Sequence, residues 1–313
     1  FAAATSAPDP DAAWAHCAPL LAALGTDPEA AWSMLRVVGA RVLDVDRAAD
    51  VAGDVLAKYG DDNRFLSAIG GALEGCRDID DLNAAAPGAP VFGDFAQKLL
   101  QATAAARGTD DEAGLLSALA TAARLAGRRW DGAAEGAHRR LLDLTPEDRF
   151  AHYNYGLFLK TRGRFAEGLA ANRRALELSP APSEAAQWNF GICATGAGAA
   201  EDALNMWLSI GQKIRMGRFG LPDGSYPQCK VRLAERPLAE RSAAQDDPGL
   251  EETIWVERLS PCHGIVRSVL YEDLGVDYGD VVLFDGAPIT YHRYGDEQIP
   301  VHPQLATLRR SGY

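Results

Sequence analysis

The chain has 313 residues, of which 47% are hydrophobic and only 8% aromatic, and its formal net charge is −12. This length allows about two domains, and an alanine-rich composition poor in aromatics favours closely packed helices over a sheet-rich fold. The negative charge disfavours general binding to nucleic-acid phosphates, and no apolar run reaches the length of about 18 residues that a membrane span needs. We therefore predict no nucleic-acid partner and no membrane insertion.

The cysteines are few, odd in number and without CxxC spacing: Cys17, Cys76, Cys193, Cys229 and Cys262. Such a set in a long chain indicates reduced thiols rather than a disulfide framework. We predict a cytoplasmic location and buried apolar roles for most of these side chains. The sequence opens at Phe1 rather than at a methionine, so a removed signal peptide stays an open alternative.

The N-terminal third reads as a series of helices after a lead-in at residues 1–8. Asp27 is an N-cap residue and Pro28 suits a first helical turn. The Gly/Pro-containing stretch Ala84–Pro90 predicts a linker. Helices are predicted, in chain order, from Pro10, from Pro28, over Asp44–Tyr59, over Asp62–Gly75, from Asp78, over Phe92–Ala106 and over Asp110–Leu125.

The stretch Arg149–Pro180 predicts two short antiparallel helices that begin a repeating pattern. Gly156 supplies a small residue where a neighbouring helix approaches, and Pro180 ends the unit. Pro146 lies 34 residues before Pro180, and Gly191 lies one residue beyond the same step after Gly156. This spacing resembles the tetratricopeptide repeat (TPR), a 34-residue helix–turn–helix unit. The resemblance covers three units, of which the first is the most divergent.

The resemblance implies a mainly α fold, a right-handed α–α solenoid of TPR-type helical hairpins. We assign degenerate hairpin repeats to residues 9–114 and recognisable TPR repeats to residues 115–216, with a separate N-terminal bundle as the alternative. Residues 114–216 carry a net charge of +3 and are the only net-basic part of the chain. That asymmetry fits an acidic ligand on the repeats and equally an acidic N-terminal part beside them.

Residues 217–313 predict a small β-rich domain, because short β-branched runs bounded by Gly and Pro replace the helical pattern. The polar stretch between the first two runs is predicted to be an exposed loop, and Asp285-Gly286 is a hairpin signal. The domain weakly resembles a small SH3-like barrel. Strands are predicted over Cys229–Glu235, Thr253–Arg258, Gly264–Tyr271, Asp280–Asp285 and Pro288–His292.

The resemblance to TPR proteins also implies a concave groove that binds a protein or peptide partner. Asn154 and Asn189 occupy the place where an asparagine ladder holds an extended peptide in some of these proteins. Ala120 fills that place in the first unit, so the ladder has two rungs. Tyr153 and Trp188 add aromatic walls, and Lys160 is placed to meet an acidic group. Alternatively, these asparagines bond to neighbouring backbone and the aromatics are core.

The C-terminal domain also contains residue types that support chemistry. Cys262 and His263 are adjacent, but neighbours on a strand point to opposite faces, so a thiol nucleophile needs His292 or His302 as its base. The simpler interpretation is that Cys262 is buried in the barrel and that His263 lies at a solvated turn. A zinc site of Cys229, Cys262, His292 and His302 lacks the usual paired spacing.

Neither a cofactor motif nor a metal motif is present, since the chain contains no P-loop, no GxGxxG before a helix and no HExxH. We predict no cofactor and no metal. The favoured function is a non-catalytic scaffold or adaptor that binds a partner in the groove, with the β domain as a cap or second contact. The alternative is an enzyme that uses Cys262 and a histidine while the repeats recruit a protein substrate.

Overall fold

A computed structural model of the chain describes residues 4, 10–40, 42–74, 90–181, 183–295 and 297–312. These form two compact units, Phe1–Pro146 and Glu147–Tyr313, so the unit boundary falls inside the predicted repeat segment 115–216. The lead-in (apart from residue 4), Cys76, the helix predicted from Asp78 and residues 84–89 of the predicted linker lie outside the described residues. Pro90, the last linker residue, begins a helix.

The described part of the first unit contains seven α-helices, and the predicted N-cap residue Asp27 is confirmed. Asp27 accepts a hydrogen bond from the backbone N–H of Glu29, and Asp44 accepts one from that of Arg47, as N-caps do. The helices are α1 Pro10–Ala23, α2 Pro28–Gly39, α3 Val45–Tyr59, α4 Asn63–Glu74, α5 Pro90–Ala105, α6 Glu112–Leu125 and α7 Asp131–Leu144.

Helix α6 is buried along most of its length and packs against α4, α5 and α7. The close contact with α4 depends on Gly70, because a Cβ atom there would lie 2.3 Å from the Cβ of Ala118. At the start of α6, the buried Glu112 carboxylate accepts hydrogen bonds from Arg140 at 2.8 Å and from the backbone N–H of Gly108 at 2.7 Å. Small side chains thus let the helices approach closely, as the composition predicts.

The second unit begins with two helical hairpins at the predicted second and third repeats. They consist of α8 Arg149–Thr161 with α9 Phe165–Glu177, and α10 Glu184–Gly196 with α11 Ala200–Ser209. A Cβ atom at Gly156 would lie 2.4 Å from the Asn172 side chain, and one at Gly191 would lie 2.4 Å from the ring of Trp207. Each glycine therefore admits a large side chain from the second helix of its own hairpin.

The rest of the second unit is a β domain. A short antiparallel pair precedes a six-stranded sheet of order β3-β4-β5-β6-β8-β7, and an additional parallel pairing of β3 with β8 closes the sheet on itself. The strands are β1 Ile214–Met216, β2 Pro222–Gly224, β3 Cys229–Ala234, β4 Glu251–Arg258, β5 His263–Val266, β6 Val281–Phe284, β7 Thr290–Tyr294 and β8 Glu297–Arg309.

Two hydrophobic clusters organise the β domain. One fills the closed sheet and includes Val231, Val256 and Phe284. The other is shared between the sheet and the second helical hairpin, where Trp207 packs in one buried cluster with Cys262 and other strand residues. Because one apolar core joins the hairpin to the sheet, burial of this surface stabilises both together.

The predicted fold class, mainly α-helical hairpins followed by a small β-rich domain, is confirmed. Three details of the β prediction were wrong. The third strand ends at Val266 rather than at Tyr271. Strands β1, β2 and β8 were missed. The Asp285-Gly286 turn does not make a hairpin, because β6 and β7 both pair with β8 rather than with each other.

Candidate functional site

The predicted groove residues Lys160 and Asn189 meet inside the second unit, together with an acidic residue from the β domain. Lys160 Nζ lies 2.6 Å from Asp285 Oδ2 and donates a hydrogen bond to Asn189 Oδ1 at 2.8 Å. The Lys160 side chain is 4% exposed and that of Asp285 is 17% exposed. The place that the sequence assigns to a partner's acidic group thus holds a carboxylate of the same chain.

The turn that carries Asp285 also contacts Trp188. A Cβ atom added at Gly286 would lie 2.6 Å from the indole of Trp188, so glycine permits this close approach. Trp188 in turn packs edge-on against Trp207, with ring centroids 5.3 Å apart. Trp188, predicted as an aromatic wall of the groove, therefore lies beside both the Asp285-Gly286 turn and the hydrophobic cluster that contains Trp207.

Electrostatics favour a charged pair at this contact. Burial alone would lower the pKa of the Lys160 ammonium, but the adjacent Asp285 carboxylate offsets this and the pKa lies above its ordinary value. The carboxylate is oriented by its own turn, because Asp285 Oδ1 accepts a hydrogen bond from the backbone N–H of Ala287 at 3.2 Å. The pair is thus both charged and geometrically held.

The other two predicted groove residues lie on α8 but outside this contact. Tyr153 is half-buried and lies close enough to Lys160 to contribute to the raised pKa of its ammonium. Asn154 is also half-buried, and its side chain makes no hydrogen bond within the described residues. The two asparagines of the predicted ladder therefore have different surroundings, since Asn189 is 5% exposed and already bonded.

Cys262, the candidate nucleophile, is fully buried in the core shared by the helices and the sheet. Its Sγ lies 3.5 Å from the Thr195 hydroxyl and 3.8 Å from the Ser260 hydroxyl. Burial raises the pKa of the Cys262 thiol to about 11. A thiol of this kind is protonated at neutral pH and is a poor nucleophile.

His263 is not at a solvated turn as predicted; it is fully buried. Ser260 Oγ accepts the backbone N–H groups of Cys262 and His263 and lies 2.5 Å from His263 Nδ1. Because this hydroxyl already accepts two hydrogen bonds, we assign its proton as donated to His263 Nδ1. The proton of the imidazole is then on the buried Nε2, which has no hydrogen-bond partner in the described residues. Burial lowers the pKa of His263 to about 4. The imidazole is therefore neutral at physiological pH.

His292 and His302, the candidate bases, contact other groups. His292 Nδ1 lies 3.0 Å from Lys230 Nζ, whereas His302 Nδ1 lies 3.0 Å from the backbone oxygen of Asp285. Burial lowers the pKa of His302. No hydrogen bond joins Cys262 to either histidine in the described chain, so the structure does not assemble a thiol–imidazole pair.

The four residues of the zinc alternative are also dispersed. Cys229 lies in the interior of the closed sheet and Cys262 in the shared core. Across the described ranges, no three His, Cys, Asp or Glu residues form a group suited to hold a metal ion. Within the same ranges, no helix is both long enough and apolar enough to cross a bilayer.

Two charged residues with close side-chain contacts were not singled out from the sequence. Asp285 was interpreted only as a turn residue, although its partner Lys160 was identified. Lys230 was included only as part of the predicted strand Cys229–Glu235, although a lysine between Cys229 and Val231 is itself a signal. It is 6% exposed, and its Nζ lies 2.7 Å from the Tyr294 hydroxyl and 5.3 Å from the centre of the Trp255 ring.

No protein-family model matches the chain, and no curated protein sequence matches it. Among solved structures, the chain is similar to one titled "Crystal structure of MamA protein", with 17% sequence identity and a TM-score of 0.37. That match covers 57% of this chain and 88% of the other.

Proposed function

We propose that the protein is a non-catalytic adaptor in which TPR-type hairpins hold the β domain and together with it bind a partner protein. The observation that carries this proposal is the contact of Lys160 and Asn189 with Asp285. The groove position expected to hold a partner's acidic segment instead anchors the chain's own β domain. This supports the cap role for that domain, since a terminal cap covers apolar surface at the end of a repeat array.

A partner then binds where apolar side chains remain exposed. The β domain contributes several large ones at its surface, and exposed apolar side chains are where a partner gains contact area. They are Trp255, Val269, Tyr271, Tyr278, Tyr291 and Tyr294. Tyr153 and Asn154, half-buried on α8, are proposed as the second contact from the groove side.

Burial of Cys262 supports a binding role over a catalytic one. A nucleophile must be reached by its substrate and activated by a nearby base. Cys262 is fully buried, and its pKa is raised to about 11. The histidines proposed as its base contact Lys230 and the backbone of Asp285.

The test is capture from the native cell with the full chain as bait, followed by mass spectrometry. Trp255→Ser, at 37% exposure on the β domain, is expected to lose the partner. Leu208→Ser, at 49% exposure on α11, is the matched control and is expected to keep it. Asn154→Ala is expected to weaken capture. Equal capture by Trp255→Ser and the unmodified chain would contradict the proposal, as would a catalytic turnover that Cys262→Ala abolishes.

A further inference from the structure

Strand β7 is an edge of the sheet. It stands last in the strand order and, among the described residues, pairs only with β8. Its five residues, Thr290–Tyr294, contain no proline and are mostly exposed. An edge strand presents a row of backbone N–H and C=O groups on its open side, which is a template for one more strand.

Aromatic side chains lie on this edge strand and on the sheet beside it. Tyr291 is 53% exposed and Tyr294 is 55% exposed, both on β7 itself. Trp255, 37% exposed, lies across the same surface, because the Lys230 ammonium sits over both its ring and that of Tyr294, at 5.3 and 4.8 Å from their centres. Added strands gain specificity when alternate side chains meet such surfaces.

The charges at this edge select an acidic occupant. Lys230 is bonded to His292 and Tyr294, and neither Lys230 nor Arg293 forms an ion pair with a carboxylate in the described part of the chain. Arg293 is opposite Gln298 in the β7–β8 register. The nearest described acid on the hairpin is Glu297, which pairs with Tyr294 near the end of the strands. The exposed Arg293, which has no carboxylate partner among the described residues, favours a negatively charged segment beside it.

We propose that the β7 edge binds an extended acidic segment of a partner protein by strand addition. This inference rests on the proposed adaptor function and names the chemistry of its partner. The segment pairs its backbone with β7 and directs carboxylates towards Arg293, on the face of the strand opposite to His292 and Tyr294. A second copy of this chain is the weaker occupant, because pairing of two five-residue strands buries far less than the roughly 1,200 Å² of a stable interface.

The probe is a synthetic peptide of about ten residues that alternates valine and glutamate, a pattern suited to a strand. The matched probe has lysine in place of glutamate, and fluorescence anisotropy at low salt reports binding to the full chain. We expect the acidic peptide to bind about tenfold more tightly. Arg293→Glu removes this preference, whereas Arg215→Glu, an exposed arginine on β1, keeps it. Amide exchange on β7 slows when the acidic peptide is bound.

Other outcomes overturn the inference. Equal affinity for the two peptides, or binding that Arg293→Glu leaves unchanged, excludes the acidic edge site. Self-association in sedimentation experiments that Arg293→Glu abolishes assigns the edge to a second copy instead. The capture assay separates the two proposals, because a partner lost in Trp255→Ser but kept in Arg293→Glu leaves the adaptor function standing and removes the strand addition.

Discussion

Lys160 and Asp285, which lie 125 residues apart in sequence, form an ion pair with 2.6 Å between Nζ and Oδ2. The lysine is on α8 and the aspartate follows β6, so the pair joins the first hairpin of the second unit to the β domain. Asn189 on α10 accepts a further hydrogen bond from the same ammonium. One buried cation therefore connects three parts of the fold.

Removing one partner of this pair is expected to be strongly destabilising. Lys160→Met leaves the Asp285 carboxylate without its cation, and Asp285→Asn leaves the ammonium buried without its anion, so each is expected to lower the free energy of unfolding by about 3 kcal/mol. The loss of unfolding free energy in the double variant is expected to be smaller than the sum of the two single losses, because both substitutions remove the same interaction. Urea unfolding of the four proteins measures this cycle.

Glu147→Gln is the control for that cycle. It removes an exposed ion pair with Arg174, 2.8 Å long, in the same unit, and is expected to change stability by less than about 1 kcal/mol. Strictly additive effects of Lys160→Met and Asp285→Asn would contradict a direct interaction between them.

Acid is expected to destabilise the protein through His263. The pKa of this buried imidazole is about 4 in the folded chain, below its value of about 6.5 in an unfolded chain. As the pH falls, the unfolded chain therefore binds the proton first. The free energy of unfolding is expected to fall by about 3 kcal/mol between roughly pH 6.5 and 4, with no contribution from this group above that range.

Urea unfolding at intervals from pH 7 to 4.5 measures the slope. Carboxylates and His302 contribute to it in the wild type and in His263→Gln alike, so the difference between the two proteins reports His263. A slope that His263→Gln leaves unchanged would show that the imidazole is not held neutral.

The close helix contact at Gly191 is expected to reject even one methyl group. A Cβ atom there would lie 2.4 Å from the ring of the fully buried Trp207, and overpacking of this kind costs about 1–3 kcal/mol. Gly136→Ala is the matched change on α7, where a Cβ atom meets nothing within 4 Å, and is expected to stabilise by about 0.5–1 kcal/mol. Thermal melts that rank the two variants the other way would contradict the packing.

The buried thiols are expected to resist alkylation in the folded protein. Burial raises the pKa of Cys193 to about 12 and those of Cys229 and Cys262 to about 11, so few thiolates exist at pH 8 and access is blocked. Mass spectrometry after brief iodoacetamide treatment is expected to find these three unlabelled, and labelled once the chain is unfolded in urea. Rapid labelling of Cys262 in the folded chain would show an accessible, reactive thiol and would favour the enzyme alternative.

Local sequence signals were sufficient for the helices and for most strands. Asp27 and Asp44 cap their helices, because an N-cap interaction involves only residues within one turn. The glycine spacing of Gly156 and Gly191 indicated where helices approach closely. Strand β8 was missed because Pro300 and Pro303 interrupt it, and proline argues against a strand unless pairing elsewhere tolerates it.

Only part of the contact between Lys160, Asn189 and Asp285 could be predicted from the sequence. Lys160 was expected to meet an acidic group because the repeat spacing gave its position. No local sequence signal identifies Asp285 as that group. His263 was assigned to a solvated turn because Pro261 and Gly264 indicate a tight turn there, whereas its burial depends on the packing of distant strands.

The sequence by itself therefore determined the helical hairpins and the β-rich C-terminal domain, and it indicated that Lys160 meets an acidic group, because periodicity, caps and turns act over a few residues. Only the tertiary structure decided that Asp285 is the group bound by Lys160, that Cys262 is in the core and that β7 is an edge. These are relations between segments far apart in the chain, and they depend on which surfaces become buried together.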